Sequence, residues 1–179
     1  MKFLLTILFS VLLNTSFFAQ KTDINNFIPK GFSILDQATG DLNQDGFTDY
    51  IVILRNNLDT LNADTARPLL IIHGQQNGSY KLISRNDSIV LCKSCGGAFG
   101  DPYSAITIKD NYFSVEFYGG SAWRWSRVIT FKYNLTTKSY LLHKDAGESF
   151  NAFEPDKTEY QTYHKELWNK VSFKQYTAN

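Results

Sequence analysis

The sequence predicts an all-β domain of mostly antiparallel strands, and three observations support this fold class. Beyond residue 30 the chain consists of short apolar or alternating segments, each about as long as a β-strand. Turn residues such as Asn77-Gly78 and Asp110-Asn111 separate these segments. In residues 112–118 polar side chains alternate with Phe113, Val115 and Phe117, which leaves one face of the segment apolar. We therefore expect a compact sheet or sandwich whose strands follow one another as a meander.

The predicted strands can be placed individually along the chain. They comprise residues 49–54, 69–73, 80–83, 105–109, 112–118, 125–133 and 139–143. In segment 125–133 the side chains Trp125, Arg127, Ile129, Phe131 and Tyr133 share one face.

The C-terminal part of the sequence allows two interpretations. Asp156 with Glu159 could cap one short helix. Alternatively, residues 158–163 and 171–176 form two further strands, and the β-rich context favours this second arrangement.

Residues 1–19 have the pattern of a secretory signal peptide. Lys2 supplies a positive start, residues 3–13 form an apolar run, and Ala19 is a small residue suited to the cleavage position. The run is shorter than the roughly 20 residues that a membrane-spanning helix needs. We expect cleavage near Ala19, a secreted or periplasmic protein, and no membrane span after leader removal.

Composition and charge bound the rest of the chain, residues 20–179, which we expect to form a single domain. The 179-residue sequence is 43% hydrophobic and 20% charged, as is typical of a globular protein. It contains 18 Lys plus Arg against 17 Asp plus Glu. A nucleic-acid-binding protein would carry a basic excess, so we expect no nucleic-acid partner.

Residues 41–49, Asp-Leu-Asn-Gln-Asp-Gly-Phe-Thr-Asp, carry the chemistry of a calcium loop. Oxygen-bearing side chains recur at Asp41, Asn43, Asp45 and Asp49, and Gly46 allows a sharp turn. Hard cations such as calcium take six to eight oxygen ligands, and the loop offers neither thiolate nor imidazole to attract zinc. An EF-hand loop would have Glu at position 12, where this sequence has Val52.

Together with the apolar strand that follows it, this loop resembles the calcium loop of FG-GAP and VCBS-type repeats, as in the integrin α-chain propeller. The likeness covers residues 38–55. It implies that calcium is bound by Asp41, Asn43, Asp45, the carbonyl of Phe47, and Asp49. The alternative is a metal-free turn, because Asp, Asn and Gly are also common turn residues whose side chains hydrogen-bond to the backbone. Because the motif occurs once and a propeller needs at least four blades, we expect a partial propeller-like domain at most, and prefer a sheet or sandwich with the loop at one edge.

Two glycine-rich stretches, residues 96–103 and 118–125, are similar to segments of secreted bacterial proteins of unknown function that begin with the same loop. This likeness points to a bacterial cell envelope and implies no activity.

Cys92 and Cys95 are the two cysteines of the chain. In an oxidising compartment this spacing favours a local disulfide that holds a turn. The alternative is a CxxC thiol redox pair, but the glycines and the proline that follow Cys95 do not favour the helix that such a motif normally opens.

Trp123 and Arg124 form a candidate ligand patch, since aromatic and arginine side chains suit contacts with a glycan or with an envelope protein. The competing interpretation is that Trp123 packs beside the glycines and Trp125 lies in the core, and core packing is favoured.

The sequence thus predicts an exported calcium-binding β domain with a binding or structural role at the bacterial cell envelope. No motif for a catalytic nucleophile, metalloprotease or phosphate loop is present. The alternatives are an envelope enzyme or inhibitor whose site does not show in the sequence, or a thiol redox protein.

Overall fold

The computed structural model describes residues 23–58 and 65–178. The signal-peptide segment 1–19 lies outside the described residues. Two short 3-10 turns, Ile24–Phe27 and Lys165–Leu167, flank the β structure. The strands are β1 (Phe32–Gly40), β2 (Asp49–Asn56), β3 (Arg67–Gly74), β4 (Tyr80–Val90), β5 (Tyr103–Lys109), β6 (Tyr112–Gly120), β7 (Trp123–Asn134), β8 (Ser139–Asn151) and β9 (Glu154–Thr162).

The strands form two antiparallel sheets, and this confirms the all-β prediction. The first sheet has the order β1-β2-β3-β4 and the second the order β5-β6-β7-β8-β9. Every pair of neighbours in a sheet is also consecutive in sequence, so each sheet is a meander as predicted. The two sheets pack as a compact β-sandwich.

The main core lies between the sheets. The first sheet contributes Ile51, Ile53, Leu69 and Ile71, and the second contributes Phe113, Val115, Phe117, Ile129, Phe131 and Leu142, all fully or almost fully buried. The predicted inner face of β7 is confirmed, because Ile129 and Phe131 are inaccessible and Trp125 packs against the same core.

A second apolar cluster covers the opposite face of the first sheet. Val52, Leu54, Leu70 and Ile72 are at most 1% exposed. Ile24, Phe27 and Ile28 of the N-terminal segment pack over them. The centres of β2 and β3 are therefore buried on both faces, which explains why their sequences are continuous apolar runs instead of alternating ones.

The strand predictions differ from the structure mainly at β1, β4, β8 and the C-terminus. β1 was not predicted, β4 extends seven residues beyond the predicted end at Ile83, and β8 extends eight residues beyond the predicted end at His143. The predicted strand 158–163 lies within and just beyond β9, so the alternative of a helix capped by Asp156 is wrong. The predicted last strand, 171–176, is wrong: the chain there forms turns with an isolated bridge between Leu141 and Ser172. Phe173 and Tyr176 are buried there, so packing on the core outweighs extended pairing.

Within the described ranges, no helix is both long and apolar enough to cross a membrane.

Candidate functional site

The predicted calcium loop, residues 41–49, joins β1 to β2 at the end of the first sheet. Leu42 is inaccessible to solvent and belongs to the main core, which anchors the loop. Asp41 and Asp45 are exposed, and Asn43 is half-buried. The loop therefore buries its apolar side chain and presents oxygen-bearing groups at the surface.

Hydrogen bonds from backbone N–H groups to side chains wind the loop tightly. The N–H of Asp45 donates to Asp41 Oδ1 at 3.0 Å and to Asn43 Oδ1 at 3.1 Å. The N–H of Gly46 donates to Asp41 Oδ2 at 2.9 Å, and that of Phe47 to Asp45 Oδ1 at 3.0 Å. Gly46 has φ +85°, the left-handed conformation that the glycine of the motif was expected to supply.

Asp49 is fully buried and closes the loop from β2. Its Oδ2 accepts the N–H groups of Leu42 at 3.0 Å and Asn43 at 3.3 Å, and its Oδ1 accepts that of Gly74 at 3.1 Å. Burial raises the pKa of Asp49 to about 6, although these three hydrogen bonds oppose the shift by stabilising the carboxylate. Asp49 thereby ties both ends of the loop to β3.

His73 lies beneath the loop and links it to the second sheet. The amide Nδ2 of Asn43 donates to His73 Nδ1 at 3.2 Å and to Asp45 Oδ2 at 2.8 Å. His73 Nε2 then carries the proton and donates to the hydroxyl of Tyr140 on β8 at 2.7 Å. Burial lowers the pKa of His73, which favours this neutral form.

The donor set of the loop suits a hard cation better than a soft one. Asp41, Asn43, Asp45 and Asp49 offer only oxygen ligands, joined by the backbone carbonyl of Phe47. Across the described residues, however, no three His, Cys, Asp or Glu side chains converge as a metal-holding group. The carboxylates of Asp41, Asp45 and Asp49 instead accept backbone N–H groups.

Comparison of the chain with protein-family models, curated proteins and solved structures finds no match. The resemblance of residues 38–55 to FG-GAP and VCBS-type loops therefore stays a prediction.

The sulfur atoms of Cys92 and Cys95 lie 2.02 Å apart, at disulfide-bond distance, as expected for a local bridge. The residues after Cys95 form turns and no helix. An ion pair ties this region to the first sheet: both terminal nitrogens of Arg67 donate to Asp101, each at 2.7 Å.

The structure separates the two members of the predicted ligand patch. Trp123 is 57% exposed, contrary to the favoured interpretation that it packs beside the glycines. Arg124 follows it in an extended strand, so the two side chains leave opposite faces of the sheet. Arg124 instead contacts Phe99 and Tyr118: its Cζ lies 5.4 Å from the ring centroid of Phe99, and Nη1 donates to the Tyr118 hydroxyl at 3.2 Å.

Sequence reasoning missed His73, Phe99 and Tyr118 as parts of these two sites. Alternation along β3 places His73 on the same face as Ile71, which could have indicated an inward position. Its partner Tyr140 is 67 residues away, and no local pattern identifies such a contact.

Proposed function

We propose that this protein is an exported calcium-binding β domain with a binding or structural role at the bacterial cell envelope. One observation carries the proposal: residues 41–49 combine the spacing of a calcium loop with a wound backbone that holds Asp41, Asn43 and Asp45 at the surface end of the sandwich. The resemblance to FG-GAP and VCBS-type loops and the leader-like segment 1–19 support it further.

The proposed ligands are Asp41, Asn43, Asp45, Asp49 and the carbonyl of Phe47. When bound, calcium would neutralise carboxylate charges that otherwise repel one another on a short loop. The backbone bonds that the carboxylates accept leave further lone pairs on the same oxygens. Asn43 would coordinate through Oδ1, while its Nδ2 keeps its contact with His73.

The proposed role of the cation is structural. The loop connects β1 to β2, Asp49 fastens it to β3, and His73 joins it to β8 of the second sheet. Stabilising the loop would therefore stabilise both sheets, and no step of catalysis is assigned to the ion.

The test is calcium binding to the leaderless chain, residues 20–179, by isothermal titration calorimetry and by thermal melting in EGTA or calcium. Extracellular calcium sites bind at about 10⁻⁴ to 10⁻³ M. At ten times the dissociation constant, calcium should raise the free energy of unfolding by about 1.4 kcal/mol. Magnesium at the same concentration should give a smaller effect, because it demands stricter octahedral geometry.

The matched variants are Asp45→Asn in the loop and Asp110→Asn in the β5–β6 turn. Asp110 is also an exposed turn aspartate, and its φ of +52° is one that Asn tolerates. Asp45→Asn should abolish the calcium response, whereas Asp110→Asn should keep it. A wild-type chain without calcium heat and without a melting shift would overturn the proposal.

A further inference from the structure

A second candidate site lies on the outer face of the second sheet, the face turned away from the core. The glycine-rich segment after Cys95 docks onto the turn between β6 and β7 through backbone hydrogen bonds. The N–H of Gly120 donates to the carbonyl of Gly96 at 2.8 Å, and that of Ala98 to the carbonyl of Gly120 at 2.9 Å. This docking fixes Phe99 over the outer face.

Phe99, Tyr118 and Arg124 form what we call the arginine platform. Phe99 is 48% exposed, and its ring meets that of Tyr118 edge-on with centroids 5.5 Å apart. Arg124 lies over the Phe99 ring and donates to the Tyr118 hydroxyl. Arg67, Arg85 and Arg127 each pair with an aspartate, but within the described chain no carboxylate lies within ion-pair distance of Arg124. Among the described residues, the platform therefore presents a cation that has no ion-pair partner.

The strand register places further side chains in line with Tyr118 across the outer face of the sheet. Tyr118 pairs with Ser126, Ser126 with Glu148, and Glu148 with Tyr160, so these four side chains form one row on the outer face. Neighbouring strands lie about 4.8 Å apart, which separates the two tyrosine backbones by roughly 14 Å. Tyr160 is 83% exposed at the far end of the row.

A shallow depression of about 350 Å³ lies over the Ser126, Glu148 and Tyr160 end of the row, and its chemistry is mixed. Ser126 and Thr130 supply hydroxyls, Lys144 supplies a second cation, Glu148 supplies an acceptor, and Val128 supplies an apolar floor that is 37% exposed. A protein-binding core would be more apolar and more depleted in charge. Aromatic rings at intervals with hydroxyls and charges between them suit an extended ligand whose own surface alternates apolar C–H faces with hydroxyl groups.

We propose that this face binds a polysaccharide that carries carboxylate groups, a chain of uronic acids. The aromatic rings of Tyr160 and Phe99 stack on sugar rings, and the serine, threonine and glutamate side chains bond to sugar hydroxyls. Arg124 receives a sugar carboxylate, and this charge complementarity selects an acidic glycan over a neutral one. The inference rests on the proposed binding role of the domain but not on the calcium loop.

The test uses alginate, a polymer of uronic acids, as the probe and dextran as the neutral comparison. Affinity electrophoresis of the leaderless chain should show retardation in alginate and none in dextran. Arg124→Gln should weaken alginate binding at least tenfold, and Phe99→Ala, a second variant at an exposed loop residue, should weaken it as well. Arg55→Gln is the matched control, because Arg55 is an exposed arginine of the first sheet whose Nε donates only to Ser33.

Several results would overturn the inference. They are absence of alginate binding, equal binding to dextran or to polyglutamate, and alginate binding that survives both Arg124→Gln and Phe99→Ala. A dimer in sedimentation that Val128→Lys dissociates would also overturn it, because a second copy would then cover the face. Alginate binding that persists in Asp45→Asn and in EGTA would show that glycan binding at this face does not depend on the calcium loop.

Discussion

The guanidinium of Arg127 and the carboxylate of Asp145 form a buried bidentate pair between neighbouring strands β7 and β8. Nε and Nη2 of Arg127 donate to the two oxygens of Asp145 at 2.8 and 2.7 Å, and Asp145 is inaccessible to solvent. Arg127 Nη1 also donates to the carbonyl of Ala178, and the Tyr176 hydroxyl donates to Asp145. The pair therefore fastens the C-terminal segment to the second sheet.

Breaking this pair from one side should be strongly destabilising. Arg127→Met or Asp145→Leu leaves a buried charge uncompensated and should lower the free energy of unfolding by about 3–5 kcal/mol. The double variant removes both charges. Its loss of unfolding free energy should therefore be smaller than the summed losses of the two single variants, by more than about 1 kcal/mol. Urea denaturation of the wild type, the two single variants and the double variant measures this coupling energy.

The control cycle for that coupling uses Arg85 and Asp87, an ion pair of similar length on β4. Their side chains are 39% and 43% exposed, so solvent screens the pair and the coupling should be below about 1 kcal/mol. Equal coupling energies in the two cycles would contradict the role assigned to burial.

The ion pair between Arg67 and Asp101 should hold the disulfide region against the first sheet. Arg67 is 2% exposed, whereas Asp101 is 35% exposed. Asp101→Asn keeps the shape but removes the charge, and it should lower the free energy of unfolding by about 1.5–3 kcal/mol. The accompanying sign of a loosened region would be faster amide hydrogen exchange at Gly96 and Ala98. Unchanged exchange there would show that the backbone hydrogen bonds, from Gly96 to Gly100 and from Ala98 to Gly120, hold the region without the ion pair.

Sequence patterns predicted those features that depend on neighbours along the chain. Alternation placed Arg127 on the inner face of β7 with Phe131, and turn residues located the hairpins at Asn77-Gly78 and Asp110-Asn111. The spacing of Asp41, Asn43 and Asp45 predicted a wound loop, and the structure contains one.

Features that join distant segments were not predictable in the same way. Asp145, the partner of Arg127, lies in the part of β8 beyond its predicted end, where the sequence is polar and lacks an apolar alternation. Arg124 was selected as a candidate, but Phe99 reaches it through the docked glycine segment. Such contacts depend on sheet register, which no local pattern contains.

Stability at alkaline pH should depend on Tyr103. Burial, followed by its hydrogen bond to Asp36 Oδ2 at 2.7 Å and the charge of Asp36, raises the pKa of the Tyr103 hydroxyl. An unfolded tyrosine ionises near pH 10, so above that pH the unfolded chain loses a proton that the folded chain keeps. The contribution of Tyr103 to the free energy of unfolding is therefore fully present below pH 10. It is lost as the pH rises further, by up to about 1.4 kcal/mol per pH unit.

The variant Tyr103→Phe should accordingly show a shallower fall in the free energy of unfolding between pH 9 and 11. The buried tyrosines Tyr133, Tyr140 and Tyr176 also have raised pKa values and remain in both chains, so the difference in slope isolates Tyr103. Tyr160→Phe, at an exposed position, is the control. Parallel slopes for wild type and Tyr103→Phe would refute the assignment.

Gly46 should matter in two separable ways, through backbone strain and through the proposed calcium ligands. Gly46 and Gly78 both have positive φ, +85° and +77°, and an added Cβ would meet no atom within 4 Å at either position. Alanine at each should therefore cost about 1–2 kcal/mol of stability in EGTA, from strain alone. Only Gly46→Ala should also reduce the rise in melting temperature on adding calcium, because only Gly46 shapes the turn between Asp45 and Phe47. If both variants respond to calcium as the wild type does, the backbone geometry at Gly46 is not required for calcium binding.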